Sequence, residues 1–400
     1  MSKVRVPADW PTTRLSTIAD IQTGLAKGKP ITSGSISLPY LRVANVQDGH
    51  LDLDEIKTIA VDDRSIQRYS LRERDVLFTE GGDFDKLGRG TVWRGEIQNC
   101  LHQNHVFVVR PHLGRLEPDY LAYLAASPYG RRYFQSASKR STNLASINST
   151  QLKNFPVVLP PLAEQRELVA ILRAWDEAVD NVNSLVAAKH AEYALRSRQL
   201  FAPCHPSFQG RGQGWNRFAL GKLFTERTQT GVDSDELLSI TTADGVISQE
   251  EVGRRDNSTE DKSQYKLILP GDIGYNTMRM WQGVCGLSLR RGIVSPAYTV
   301  VTPIQGRIQA RFAWHLFKSR RMVHDFERYS QGLTSDTWNL KFPAFSEIKV
   351  FLPKSSIQNA QASYLDAMQE ELNVLKRQAK ALSKQKRGLM QKLLTGEWKL

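Results

Sequence analysis

Two stretches of this chain place apolar residues at alternating spacings of four and three. In the first, Leu168, Leu172, Trp175, Val179, Val182, Val186 and Tyr193 keep the rhythm, and only Lys189 interrupts it. In the second, Leu365, Met368, Leu372, Leu375, Ala379, Leu382, Leu389 and Leu393 do the same, with Lys386 in the seam. Apolar residues every 3.5 positions make one stripe along a helix, and so long a stripe needs a second helix to cover it. The pattern predicts a helix over 163–200, about 55 Å long at 1.5 Å per residue, and a second near the end of the chain. Gly388 is the one interior glycine or proline between them, late in the second. The two are expected to pair as an antiparallel coiled coil.

Outside these stretches the period shortens. Segments 38–46, 75–78 and 105–109 are rich in β-favouring residues and read as strands. Segment 80–90 is a glycine-punctuated loop, and Glu117-Pro118-Asp119-Tyr120-Leu121 opens a helix with proline in its first turn. The same plan returns about 195 residues later. Trp10, Leu15 and Ile18 are echoed by Trp215, Leu220 and Leu223, and Asp75-Val76 by Asp272-Ile273. Val108-Val109-Arg110-Pro111 is echoed by Val300-Val301-Thr302-Pro303, and the approach to the first helix, 155–160, by 348–353. The fold class expected is therefore α+β: two similar mixed α/β globules, 1–160 and 206–352, joined by long helices at 161–205 and 353–400. The apolar skeleton is what repeats. The loops differ, as they would on two copies of a scaffold with separate specificities.

Composition adds a partner. The formal charge is +13 and the isoelectric point about 9.6, which favours a polyanion, nucleic acid before acidic membrane. Part of the excess lies on the last helix, where Lys376, Arg377, Lys380, Lys384, Lys386 and Arg387 occur without an intervening acid. No apolar run approaches the ~18 residues of a membrane span. The first residues lack the apolar core of a secretory signal, and Cys100, Cys204 and Cys285 form no disulfide framework. A cytoplasmic protein is expected.

Catalytic motifs are weak throughout. Gly24-Leu25-Ala26-Lys27-Gly28-Lys29-Pro30 is one residue short of a phosphate loop and has Pro30 where a hydroxyl belongs. Leu159-Pro160-Pro161-Leu162 lacks the polar and aromatic flanks of an amino-methyltransferase turn. Glu55-Ile56-Lys57 and Glu347-Ile348-Lys349 have the carboxylate-x-Lys form of metal-dependent nucleases, which is common by chance. Cys100, His102 and His105 alternate on one segment, a poor basis for a metal site. A stand-alone DNA-binding protein or Mg-dependent nuclease is the competing class.

The stretch Leu159-Pro160-Pro161-Leu162-Ala163-Glu164-Gln165-Arg166 resembles the helix-start motif of Type I restriction-modification specificity subunits. Segment 387–396 is similar to the closing motif of that family, and 79–82, 103–106, 271–279 and 292–298 to its target-recognition domains. The resemblance implies two target-recognition domains on two spacer helices and no catalytic residue. It implies double-stranded DNA, two modification subunits and, optionally, two restriction subunits as partners. S-adenosylmethionine would sit on the modification subunits, ATP and Mg on any restriction subunits, and no cofactor or metal on this chain. One departure stands out: Leu352-Pro353-Lys354-Ser355-Ser356-Ile357-Gln358 replaces the second Pro-Pro-Leu-x-Glu-Gln, so a differently capped or docked second helix is expected.

Base-edge readers are Arg, Asn, Gln and Lys on loops. In the first globule these are Lys86, Arg89, Gln103, Asn104, Lys139, Arg140 and Asn143; in the second, Asn276, Arg279, Gln282, Ser295, Tyr298, Gln331 and Trp338, the last equally readable as core. Two different readers on one spacer would recognise a split, asymmetric target, in successive major grooves roughly 34 Å apart.

Overall fold

The computed structural model describes residues 7, 9–26, 35–82, 84, 87–140, 145–209, 211, 214–232, 234–241, 245–252, 261–334 and 336–398. The chain forms two compact units, Met1–Val182 with Arg377–Leu400, and Asn183–Lys376. Each holds one globule and stretches of both long helices. The helices are Leu162–Phe201 and Ser355–Leu394. The first matches its predicted span to within a residue at each end.

Within each unit the helix segments run antiparallel. In the first, Leu168, Val169 and Leu172 share a core with Met390, Leu393 and Leu394, and Lys386 bonds Asp176. In the second, Phe201 shares a core with Ala362 and Leu365, and Lys189 lies 3.1 Å from Glu371. The two lysines that broke the apolar rhythm thus each face an acid of the other helix. Those cores also contain the globule: Leu168 and Leu172 pack with Phe78, Tyr120 and Leu124, and Leu365 with Phe224, Phe312 and Phe345. Among the described residues no helix is long and apolar enough to cross a membrane.

The globules share a sheet plan. In the first, a four-stranded antiparallel sheet has the order Ala19–Gln22, Val106–Pro111, Val76–Thr79, Gly90–Val92; in the second it is Phe224–Glu226, Tyr298–Pro303, Ile273–Asn276, Cys285–Leu287. Each globule is closed by a pair joining its first and last strands: Thr12–Arg14 with Pro156–Val158, and Asn216–Ala219 with Lys349–Leu352. The chain therefore leaves each globule beside the point where it enters, directly before a long helix. The strand expected over 38–46 is shorter, Ile36–Leu41. Asn45 ends it by turning back to bond the Arg42 amide and the carbonyls of Asp52 and Glu55.

A buried ion pair anchors each sheet. Asp75 accepts two bonds from Arg110, both 2.7 Å; Asp272 accepts from Arg227 at 2.7 and 3.2 Å and from Thr302 at 2.7 Å. The aspartates occupy equivalent positions, but the arginines do not. Strand register aligns Arg110 with Thr302 and Gln22 with Arg227, so the cation comes from neighbouring strands in the two globules. The residue before each aspartate has a left-handed backbone, Arg74 at φ 74° and Gly271 at φ 93°. Glycine takes this at no steric cost, arginine at about 1 kcal/mol.

The expected departure at the second helix is corrected by its glutamine. Gln165 is fully buried; it accepts from the Glu117 amide at 2.9 Å and donates to Pro160 and Arg115 carbonyls at 2.9 Å. Gln358 accepts from the Gln309 amide at 3.0 Å and donates to the Pro353 carbonyl at 3.0 Å. Both are the fourth residue of their helix. The clamp needs only the amide and the proline carbonyl, so the other letters of the motif change without altering how the helix docks. Gln165→Leu or Gln358→Leu strands a backbone amide and a carbonyl. Each should cost about 1–3 kcal/mol in denaturant melts, and an unchanged midpoint would refute the clamp.

Candidate nucleic-acid interface

In each globule the residue after the central strand ties three loops together through its backbone. The Thr277 amide donates to the Ala297 carbonyl at 3.3 Å, and its own carbonyl accepts from the Leu340 amide at 2.9 Å. The Glu80 amide donates to the His105 carbonyl at 2.9 Å, and its carbonyl accepts from the Ile147 amide at 2.8 Å. One hub, built twice, gathers the loops at one end of each sheet.

Around Thr277 the hub assembles all seven sequence-predicted residues of the second globule. Asn276 ends the central strand, and its side-chain oxygen accepts from the Met278 amide at 3.0 Å, which folds the loop. Arg279 and Gln282 then stand exposed, and their side chains make no bond among the described residues. Ser295 and Tyr298 bracket the turn that reaches Thr277, with the Tyr298 amide on the Ser295 carbonyl at 2.9 Å. The Tyr298 ring packs beside Leu238, Ile240 and Val300; burial raises its hydroxyl pKa and keeps it a donor. Gln331 opens the third loop, bridged to Asn339, and is exposed. Trp338 is half-buried, edge-on to Trp281 with centroids 5.4 Å apart. It holds that loop against the Arg279 loop.

Around Glu80 the first globule gathers fewer. The Arg89 carbonyl accepts from the Thr79 amide, and its guanidinium donates to Gln47 at 3.2 Å. Gln103 and Asn104 form the turn before strand Val106–Pro111, half-exposed. Lys139 is exposed on a short strand that pairs through Ala145–Ser146 to Gly81–Gly82. Lys86 and Asn143 lie outside the described residues, as does the side chain of Arg140.

The structure adds residues that the sequence did not single out. Leu333 is 101% exposed at the tip of the Gln331 loop, and Met278 is 46% exposed on the Arg279 loop. The tip is built: Gly332 has φ 148° and a Cβ there would lie 2.7 Å from the Thr337 backbone, while Thr337 Oγ1 bonds the Thr334 amide and carbonyl. In the first globule His105, weighed above only as a metal ligand, pairs with Glu80 at 2.5 Å. A glycine next to a loop leucine was the available signal, but one exposed leucine is unremarkable until the loop is known to be rigid.

The residues weighed as chemistry have other partners. Cys100 is buried in a small apolar core, and His102, buried, bonds the Val106 carbonyl at 2.7 Å. Glu55 lies 3.3 Å from Arg42 and 3.5 Å from Lys57, and Arg42 beside it lowers its pKa. Most of the lysine loop after Gly24, residues 27–34, lies outside the described residues.

The sequence model of a Type I restriction modification DNA specificity domain matches residues 7–187. The putative type I restriction enzyme MjaX specificity subunit of Methanocaldococcus jannaschii is 27% identical over 198 residues, 49% of this chain and 46% of that one. This alignment thus spans about half the length of that relative. The MjaVIII specificity subunit of the same organism is 22% identical over 428 residues, 99% of this chain and 95% of that one. A chain from the solved structure of complex assembly and conformational transition in the type I R-M system shares the fold. It has a TM-score of 0.61 at 17% identity, covering 98% of this chain and all of that one.

Burial holds the His102 imidazole neutral, its pKa lowered to about 4. An unfolded ring titrates near 6.5, so between these values unfolding takes up a proton and acid destabilises the first globule. Histidine NMR should place the His102 midpoint near 4; a midpoint above 6 would contradict the buried geometry.

Proposed function

We propose, for a chain that belongs to the Type I restriction-modification specificity family through residues 7–187, that it selects a DNA target and leaves the chemistry to partner subunits. The observation that carries this reading is the loop hub built twice on one scaffold, at Glu80 and Thr277, with different polar side chains gathered on each. Each globule reads one half of a bipartite, asymmetric double-stranded target. The long helices fix the spacing between the halves and dock two modification subunits, which carry S-adenosylmethionine. Restriction subunits, where they join, bring ATP and Mg.

Arg279, Gln282 and Gln331 are the strongest base readers, being exposed and close to loops that backbone bonds tie to Thr277. Asn276, Ser295 and Tyr298 shape the surface, and Trp338 stiffens it. Leu333 supplies an apolar contact for a thymine methyl or a base step. In the first globule Gln103, Asn104 and Lys139 take the corresponding places, with Arg89 beneath them and Lys86, Arg140 and Asn143 completing the set. Exposed Lys376, Lys380, Lys384 and Arg387 on the second helix add phosphate contacts.

Arg279→Ala in the assembled complex should weaken binding by about 1–3 kcal/mol and relax discrimination in one half-target alone, read by competition with half-site variants. A uniform loss across all sequences would reassign Arg279 to phosphate. Replacing residues 8–155 with another family member's globule should change one half of the methylated motif, read by genome-wide methylation mapping. If both halves change, or neither does, the two-reader reading fails.

A further inference from the structure

The two globules dock on their long helices through ion pairs at equivalent positions and of opposite sign. In the first unit the globule helix Pro118–Ala126 carries Asp119 as its second residue, and Arg173, the twelfth residue of the first long helix, donates to it at 2.8 Å. In the second unit the globule helix Ala310–Lys318 carries Arg311 as its second residue. It pairs with Asp366, the twelfth residue of the second long helix. The geometry is the same and the charges are exchanged.

Neighbouring positions follow. The sixth residue of the first globule helix, Tyr123, donates to Asp176 at 2.6 Å, and the residue matching Asp176 on the second long helix is the neutral Gln369. The sixth residue of the second, His315, lies 2.8 Å from Asp366 and accepts from the Tyr193 hydroxyl at 2.8 Å. Arg166 donates to Glu117 at 2.7 Å; their counterparts are Asn359 and Gln309, both neutral. The acids are well covered, Asp119 at 17% and Asp366 at 22% side-chain exposure.

We propose that this reversed polarity is an address that lets each globule dock on its own long helix and rejects the other. The clamp and the apolar frame of the joints are shared. Both have the glutamine clamp, a leucine at the eleventh helix position (Leu172, Leu365) and an aromatic at the third position of the globule helix (Tyr120, Phe312), all buried. On apolar packing and the clamp alone, either globule fits either helix, within one chain or between two copies. Exchange would set Asp119 against Asp366 and Arg311 against Arg173. Like charges at a half-covered joint repel and lose the hydrogen bonds of the matched pair. The address assigns each reader to its joint, and it holds whichever DNA sequence the readers select.

A charge-reversal cycle in the full-length chain tests this. Arg94 also donates to Asp119, so every variant carries Arg94→Gln. Against that background, D119R and R173D each present one wrong sign, D119R/R173D restores attraction with the second unit's polarity, and D119N removes charge alone. Hydrogen exchange of 118–126 and of the first turns of the first long helix reads the joint. Each single reversal should lower protection roughly three- to tenfold, D119N less than D119R, and the double variant should recover most of the loss, with 310–318 unchanged. Equal losses in D119N and D119R, or a double variant no better than the sum of the singles, would overturn the address.

Discussion

A side-chain amide buried at the fourth position of each long helix holds the molecule's parts in register. Gln165 and Gln358 each hold the amide that opens a globule helix and the proline carbonyl that opens a long helix. That fixes the globule helix on the long helix and, through Tyr120 or Phe312, the sheet beneath it. The central strand then ends at Glu80 or Thr277, where the loops are collected. A polar group fully removed from water must find partners, and an uncharged amide both gives and accepts from one side chain. The clamp is directional in a way that the surrounding leucines are not.

From the clamp outward, tolerance for change rises. The buried ion pairs of the sheets persist while their cation changes strand. The joints persist while their charges reverse. The hubs persist as backbone bonds while the side chains around them share almost nothing: Gln103 is matched by Ser295, and Lys139 by Gln331. This gradient is what a scaffold for many specificities requires. Geometry is held by backbone and buried amide, and the surface that meets the ligand is free to vary.

Much of this was legible in the sequence because it rests on apolar periodicity. Leu168 to Tyr193 bound the first helix, and the echo of Leu15 and Ile18 in Leu220 and Leu223, all fully buried, revealed the second globule. The second clamp was not legible, since only Pro353 and Gln358 of the motif are retained once Pro-Leu-x-Glu has gone. The reading surface was legible as a set of loops but not as an arrangement. Thr277 gathers it through an amide and a carbonyl that every residue except proline possesses, so composition carries no trace of it. Leu333 was overlooked because its exposure has meaning only on a loop held shut by Gly332 and Thr337.

The displaced arginine of the two sheets bears on how such a chain can evolve. A gene crossover inside a globule that joined the first half of the first to the second half of the second would bring together Gln22 and Thr302, leaving the buried aspartate without a cation. The reciprocal product would bring Arg227 and Arg110 to one carboxylate. Neither hybrid sheet balances its interior charge, and an unpaired buried charge costs about 3–5 kcal/mol, a large share of a domain's stability. The buried pair therefore penalises any crossover that falls between strand Ala19–Gln22 and strand Val106–Pro111, or between their counterparts, so that the span joining them exchanges only as a block.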